Sequence, residues 1–237
     1  MIKVFYQDND FVIIEKPSGI IVHPWNECSD KTSLLHLVRD QLGKYVYPIH
    51  RLDRPVSGLM VFAFSSEAAN FLKQQWELQE TKKLYIGLCK GIVLKKKFID
   101  YPLWNQKKTQ KLESRTNFWP IDQNGHVTLV LFQITTGRYH QIRRHAGAMA
   151  HQLIGDTKYG KGKYNRFFRE EYNLSRLFLH CCGLQIKLSG GKIHRFLSPL
   201  PKDLSLVKLK LGFDFRVNDS IFLLDSSILD AFSRRNN

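Results

Sequence analysis

The 237-residue chain is predicted to be an α+β protein, on three observations. Runs rich in β-branched and aromatic residues outnumber helical patterns, so strands dominate. Two segments place apolar residues at helical spacing behind a Ser or Thr able to cap them. Strands and helices come in mixed order, not as a regular βαβ series, and neither an internal repeat nor a Pro/Gly/Ser-rich linker divides the chain. With 43% hydrophobic residues, one domain over 1–237 is expected.

In chain order, IKVFY (2–6) and FVIIEK (11–16) read as short strands joined by the turn-prone QDND, followed by the loop PSGIIVHPWNECSD (17–30). Thr32 or Ser33 caps a helix over 34–42, where Leu34, Leu35, Val38 and Leu42 form one stripe. A strand over 59–64 precedes a helix over 65–79, with a Ser cap, Glu67 in the first turn and a stripe of Ala68, Phe71, Leu72 and Trp76. Segments 82–91 and 126–135 read as strands, and 184–197 as a hairpin about a Gly-containing turn. The polar, basic stretch 105–117 reads as a mobile loop, and the tail 220–237 as either a docking helix or a disordered end.

With 36 Lys and Arg against 21 Asp and Glu, the net charge is +15, which points to a polyanionic partner. The excess concentrates in 94–98, 105–115, 136–145 and 160–169, the last interleaving Tyr164, Phe167 and Phe168. Cations grip phosphates and exposed aromatics stack on bases, so four such runs favour nucleic acid over a merely solvated surface. No apolar run approaches the roughly 20 residues of a membrane span, and the N-terminus lacks signal-peptide features, so a cytoplasmic protein is expected. Cys28, Cys89, Cys181 and Cys182 form no C-x-x-C pair and read as reduced, mostly buried thiols.

Three chemical motifs can be set aside. GDTKYGKG (155–162) nearly spells a phosphate-binding loop, but Gly162 stands where a Ser or Thr should hold magnesium, and no helical apolar pattern follows. His140 and His145 are five apart, on different faces of a helix, so no metal is expected. His50, His140 and His180 read equally as orienting hydrogen-bond groups or satisfied core histidines. Ser57 lies in a Pro/Gly turn with no evident Asp and His partners.

The carboxylate in HRLDRP (50–55) remains. Asp53 has Arg51 and Arg54 beside it in sequence, and a cation close in space favours the ionised carboxylate. Such a group suits a nucleophile or electrostatic stabiliser, particularly if Pro55 and Gly58 turn the chain sharply at the mouth of a strand. A structural ion pair holding the loop explains the motif alone equally well.

HRLDRPVSGL (50–59) closely resembles the H-R-L-D-x-x-T-S-G-L signature of the RluA-type pseudouridine synthases. EKPSGIIVHP (15–24), KKLYIGLCKG (82–91), TGRYHQIRRHAGAMAHQLIGDTKYG (136–160) and RLFLHCCGLQI (176–186) resemble further elements of that family in the same order, over about residues 3–198. The Arg-Pro after the Asp, the SSEAA helix start, IRRH and the insertion KGKYNRFFREEYNLSRLFLH most resemble the TruC branch, whose members act on uridine 65 of tRNA.

The resemblance implies a central, largely antiparallel mixed sheet flanked by helices and loops, with the active cleft along it. It implies isomerisation of uridine in RNA, tRNA first, by a monomer needing no cofactor, no metal, no nucleotide and no membrane. Asp53 matches the catalytic aspartate, Tyr85 the tyrosine beneath the base, and Arg143 the arginine that pairs with the aspartate. Arg51 matches a residue that fills the gap left by the flipped base. His50, Arg54, Lys83, Arg138 and His140 are further expected contacts from the matched segments. Lys107, Lys108 and Lys111 in 105–117, with Lys161 and Lys163 in 161–173, are expected RNA clamps. Val56 stands where the family usually has Thr, losing a hydroxyl while keeping the shape. No S4-like RNA-binding module is expected before the motifs, and 202–237 is read as an extension. A same-family synthase acting on ribosomal RNA, a non-catalytic RNA-binding or folding protein, and a carboxylate-dependent RNA hydrolase are the competing expectations.

Overall fold

Alternation of large apolar residues along the strands gives this sheet two dry faces, and helices cover both. The computed structural model describes residues 1–24 and 32–223. Its strands are β1 (Val4–Gln7), β2 (Phe11–Lys16), β3 (Tyr47–Pro48), β4 (Ser57–Ala63), β5 (Lys82–Lys90), β6 (Lys97–Asp100), β7 (Leu103–Trp104), β8 (Lys111–Leu112), β9 (Arg115–Asn124), β10 (Val127–Ile134), β11 (Leu179–Lys187) and β12 (Ile193–Leu197). Helices are α1 (Leu34–Leu42), α2 (Ser66–Trp76), α3 (Gln141–Ala148), α4 (Gly162–Tyr172) and α5 (Lys202–Lys210). None is long and apolar enough to cross a membrane.

Ten strands form one sheet in the order β1-β2-β4-β11-β5-β10-β9-β6, with β3 added on β4 and β12 on β11. Every pairing is antiparallel except β4 with β11. The α+β, largely antiparallel mixed sheet is therefore as expected. At the parallel joint Gly58 has φ +123°, and a Cβ there would lie 2.3–2.7 Å from the backbone of Cys181. Only glycine lets β4 approach β11 so closely.

On one face Tyr85 and Cys89 of β5 join Val130, Phe132 and Ile134 of β10 and Cys181 of β11. Leu34 and Val38 of α1, Leu72 and Trp76 of α2, and Ile142 and Ala146 of α3 close this layer. The intervening residues, Leu84, Ile86 and Leu88 of β5 with Leu129 and Leu131 of β10, point the other way, under Phe168 of α4 and Leu204 and Val207 of α5. Full burial of each such side chain is worth about 1.5–3 kcal/mol, which fixes register, because a one-residue slip would exchange the faces.

Helix starts follow their caps. The Ser33 hydroxyl accepts the His36 N–H at 3.4 Å and the Ser65 hydroxyl the Ala68 N–H at 3.0 Å. The α2 stripe is offset from expectation, since Ala69 is buried and Phe71 is exposed.

Several expectations need correction. Segment 105–117 is the turn and second strand of the β7–β8 hairpin followed by the start of β9. Its turn is tied by Asn105, whose side chain bonds Thr109 Oγ1 at 2.8 Å and the Thr109 N–H at 2.9 Å. A helix, α4, does follow Gly160 and Lys161, and its Phe168 is a core residue while Phe167 is exposed. In the preceding turn Asp156 Oδ1 accepts the Lys158 and Tyr159 N–H groups at 2.9 and 3.0 Å. Cys28 and residues 224–237 of the tail lie outside the described residues, while Cys89, Cys181 and Cys182 are buried free thiols.

Candidate active site

Asp53 is carried on a four-residue turn between β3 and β4. Its carbonyl accepts the Val56 N–H at 3.0 Å, with Pro55 inside the turn. Lys16, at the end of β2, holds that turn from below: its fully buried ammonium donates to Pro17 O at 2.8 Å, Arg54 O at 3.2 Å and Val56 O at 2.8 Å. Burial pushes Lys16 down to about 7, against the opposing pull of the Asp53 charge.

Arg143, in the first turns of α3 and only 5% exposed, reaches Asp53 Oδ2 through Nη1 at 2.9 Å, across ninety positions of sequence. Its other edge is fixed. Nε and Nη2 make a two-pronged contact with Asp156 at 2.8 and 2.9 Å. Burial opposes the Arg143 charge, but the Asp156 and Asp53 bonds outweigh it and raise the group further. Burial likewise opposes ionisation of Asp156, yet Arg143 and the two amides hold its carboxyl below the usual range. The carboxylate–guanidinium–carboxylate chain is thus held in one geometry, and a quarter of the Asp53 side chain stays open to the cleft.

His140 approaches the same oxygen, with Nε2 3.6 Å from Asp53 Oδ2. It caps α3 with φ +53°, a left-handed backbone that costs a residue bearing a Cβ about 1 kcal/mol or more. Burial pushes His140 down to about 4, so the ring is neutral at pH 7. Nδ1 lies 3.1 Å from the Tyr159 hydroxyl. A hydroxyl donating to Nδ1 leaves the ring proton on Nε2, facing the carboxylate with a positive edge, whereas the other tautomer would face it with a lone pair.

Tyr85 sits mid-sheet on β5, paired with Phe132 of β10 and Cys181 of β11. It is 6% exposed, and burial with the neighbouring Cys181 raises it well above the ordinary phenol range, leaving a neutral hydroxyl. Asp53, Tyr85, Arg143 and His140 line one cleft of ≈ 390 Å³, together with His50, Arg51, Lys83 and Arg138.

Within the cleft, His50 stacks on Trp76 at 4.3 Å, and burial, aided by the Lys83 charge, pushes it down to about 3. Lys83 is buried, its ammonium on Trp76 O and Thr135 O at 3.2 Å each. That geometry ties α2 to β10 and leaves little reach for a phosphate. Arg51 is exposed on the rim, and Arg138 donates to Glu113 O at 2.9 Å. The other expected contacts lie outside the cleft lining. Arg54 donates to Gly19 O at 2.9 Å, Lys107, Lys108 and Lys111 ride on the β7–β8 hairpin, and Lys161 and Lys163 begin α4.

Ser57 corrects an expectation, since it does have a histidine partner: its hydroxyl lies 2.9 Å from His180 Nδ1, with both side chains buried. Arg176 Nη1 adds a bond at 3.1 Å and itself grips Asp203 of α5. Among the described residues the Nε2 of that histidine meets Ser198 and no carboxylate, so this network pins β4 to β11.

Asp156, Lys16 and Tyr159 are not singled out from sequence, and Trp76 is read there only as part of the α2 stripe. Asp156 and Tyr159 stand in the matched segment 136–160 and Lys16 in 15–24, which is the signal that marks them.

A family model described as RNA pseudouridylate synthase matches residues 10–148. The tRNA pseudouridine synthase C of Vibrio vulnificus is 34% identical over 210 residues, covering 78% of this chain and 84% of that protein. Its namesake in Haemophilus influenzae is 35% identical over 202 residues, covering 76% and 84%. Among solved structures, human RNA Pseudouridylate Synthase Domain Containing 4 aligns with a TM-score of 0.75 at 19% identity, over 90% of this chain and 94% of that one. Human RNA Pseudouridylate Synthase Domain Containing 1 aligns at 0.71 and 21% identity, over 87% and 86%, and these two likenesses speak to the fold alone.

Proposed function

Because the chain belongs to the RNA pseudouridylate synthase family, whose members are isomerases acting on RNA, we propose that it converts uridine to pseudouridine in tRNA, at uridine 65, with Asp53 as its catalytic carboxylate. One observation carries the assignment of residues: Asp53 and Arg143 share one cleft with Tyr85, and Asp156 anchors the guanidinium from behind.

The target nucleotide is flipped into the cleft, and Arg51 on the rim takes up the space it leaves in the RNA. The N1–C1′ bond breaks, with the bonding pair leaving on the uracil, while the Asp53 carboxylate stabilises or bonds the electron-poor anomeric carbon. Uracil turns on the face of Tyr85, C5 bonds to C1′ and releases its proton, and N1 takes a proton up, so the RNA keeps its mass. Arg143 and the Nε2 edge of His140 hold the Asp53 oxygen in place, so no reorientation is needed as charge develops. The neutral Tyr85 hydroxyl supplies a stacking face and a relay for the C5 proton.

The test is tritium release from 5-tritiated uridine in tRNA and ribosomal RNA transcripts. Release from tRNA by the wild type, and a fall of about 10⁴-fold in Asp53→Asn, is expected. Release from ribosomal RNA only would overturn the tRNA assignment, and full activity in Asp53→Asn would overturn the role of the carboxylate.

A further inference from the structure

Resting on the reading of this chain as an RNA isomerase, we propose that Trp104, with Lys111 against its ring, is a platform on which one unpaired base of the RNA stacks, outside the cleft that takes the target nucleotide. Trp104 ends β7 with 44% of its surface in water, although tryptophan is among the residues with most to gain from burial. The Lys111 ammonium lies 5.4 Å from the ring centre, so the site offers an aromatic face and a cation together. Tyr101, 53% exposed, precedes it.

The backbone beneath this ring is held, not loose. Trp104 pairs with Lys111 across the hairpin, Asn105 N–H bonds Gln110 O at 2.8 Å, and the Asn105 side chain closes the turn. One guanidinium nitrogen of Arg144 donates both to Trp104 O at 2.7 Å and to Tyr139 O at 3.3 Å. Tyr139 stacks on His140 at 3.7 Å, and His140 lines the cleft. The Arg144 side chain therefore joins the platform to the cleft wall, where RNA continuing from a flipped nucleotide would run.

Charge selects the occupant. Among the described residues Lys107, Lys108 and Lys111 form no ion pair, whereas Arg115 nearby is engaged by Asp100 and Glu113. Free cations beside an exposed ring fit a phosphate backbone carrying an unpaired base, and such stacking tolerates any base.

Binding is read by tryptophan fluorescence in the Asp53→Asn background, with turnover read separately in otherwise wild-type protein. Full-length tRNA transcript is expected to quench emission, and Trp104→Phe to reduce that quenching to the share from Trp76 in the cleft while keeping affinity within about threefold. Trp104→Ala is expected to raise KM about tenfold with kcat within about twofold. Unchanged KM and Kd in Trp104→Ala would overturn the platform and leave the ring to a different partner. Quenching by tRNA without turnover on any RNA would leave the platform standing and overturn the proposed function instead.

Discussion

The cleft wall and the β7–β8 hairpin are both rich in cations, yet they spend them in opposite ways. In the wall, Arg143 is 5% exposed and Lys16 fully buried, and every hydrogen-bonding edge of either group described here meets a carboxylate or a carbonyl. On the hairpin, the lysines stand in water with no ion-pair partner among the described residues. Charges in the first setting are costly to disturb, since removing one partner strands the other out of water. Charges in the second are nearly free to replace as far as folding goes, and matter when a polyanion arrives. On the proposed function, chemistry belongs to the dry, over-determined region and recognition to the wet one.

Asp156→Ala attacks that contrast hardest. It leaves Arg143 half unpaired in the interior, and a loss of about 3–5 kcal/mol in urea unfolding is expected, with tritium release falling because the guanidinium no longer holds Asp53. A loss under about 1 kcal/mol would show that the wall is not over-determined. Acid is the next lever. His180 is fully buried and burial pushes it down to about 3 from 6.5. As pH falls below 6.5 the unfolded chain binds this proton and the folded one does not, so stability drops by about 1.4 kcal/mol per pH unit for this one group. His180→Gln is expected to flatten the stability slope between pH 6 and 4 by about that amount, and an unchanged slope would place the protonation elsewhere.

Salt tests the other region. Reversing Lys107, Lys108 and Lys111 to Glu is expected to leave unfolding within about 0.5 kcal/mol of wild type, weaken tRNA binding about tenfold or more, and make the log Kd against log salt plot shallower by about 2. Equal affinity at low salt would detach the hairpin from recognition. Val56→Thr is expected to change least. Val56 is already fixed through its backbone, its N–H on Asp53 O and its carbonyl on Lys16. Turnover within about twofold of wild type would show that the turn does not need the hydroxyl.

The sequence announces elements whose stability comes from their own pattern. Helix α1 and helix α2 were readable from Ser33, Ser65 and their apolar stripes, and β2 and β5 from unbroken apolar runs. It hides elements shaped by chemistry or by neighbours. Helix α3 reads QIRRHAGA, with Arg143 and His145 buried where an apolar stripe would be sought, and β9 carries Asn117, Pro120 and Asp122. Helix α4 buries only Phe168 of its eleven residues. The site divides the same way. A lone Asp between two arginines left catalysis and a structural ion pair equally open, because the contacts that aim it come from Arg143, ninety positions on, and through it from Asp156. Only matching whole segments to a family put Tyr85 and Arg143 beside Asp53.

Strand β11 lies in the middle of the sheet, wedged between β4 and β5, although it is made from residues 179–187. A chain leaving the ribosome therefore presents the Asp53 turn, Tyr85 and the Arg143 helix before the strand that joins their two halves exists. Contacts spanning more than a hundred residues are slow to form. A chain cut short before residue 179 would leave the facing edges of β4 and β5 without the strand that lies between them.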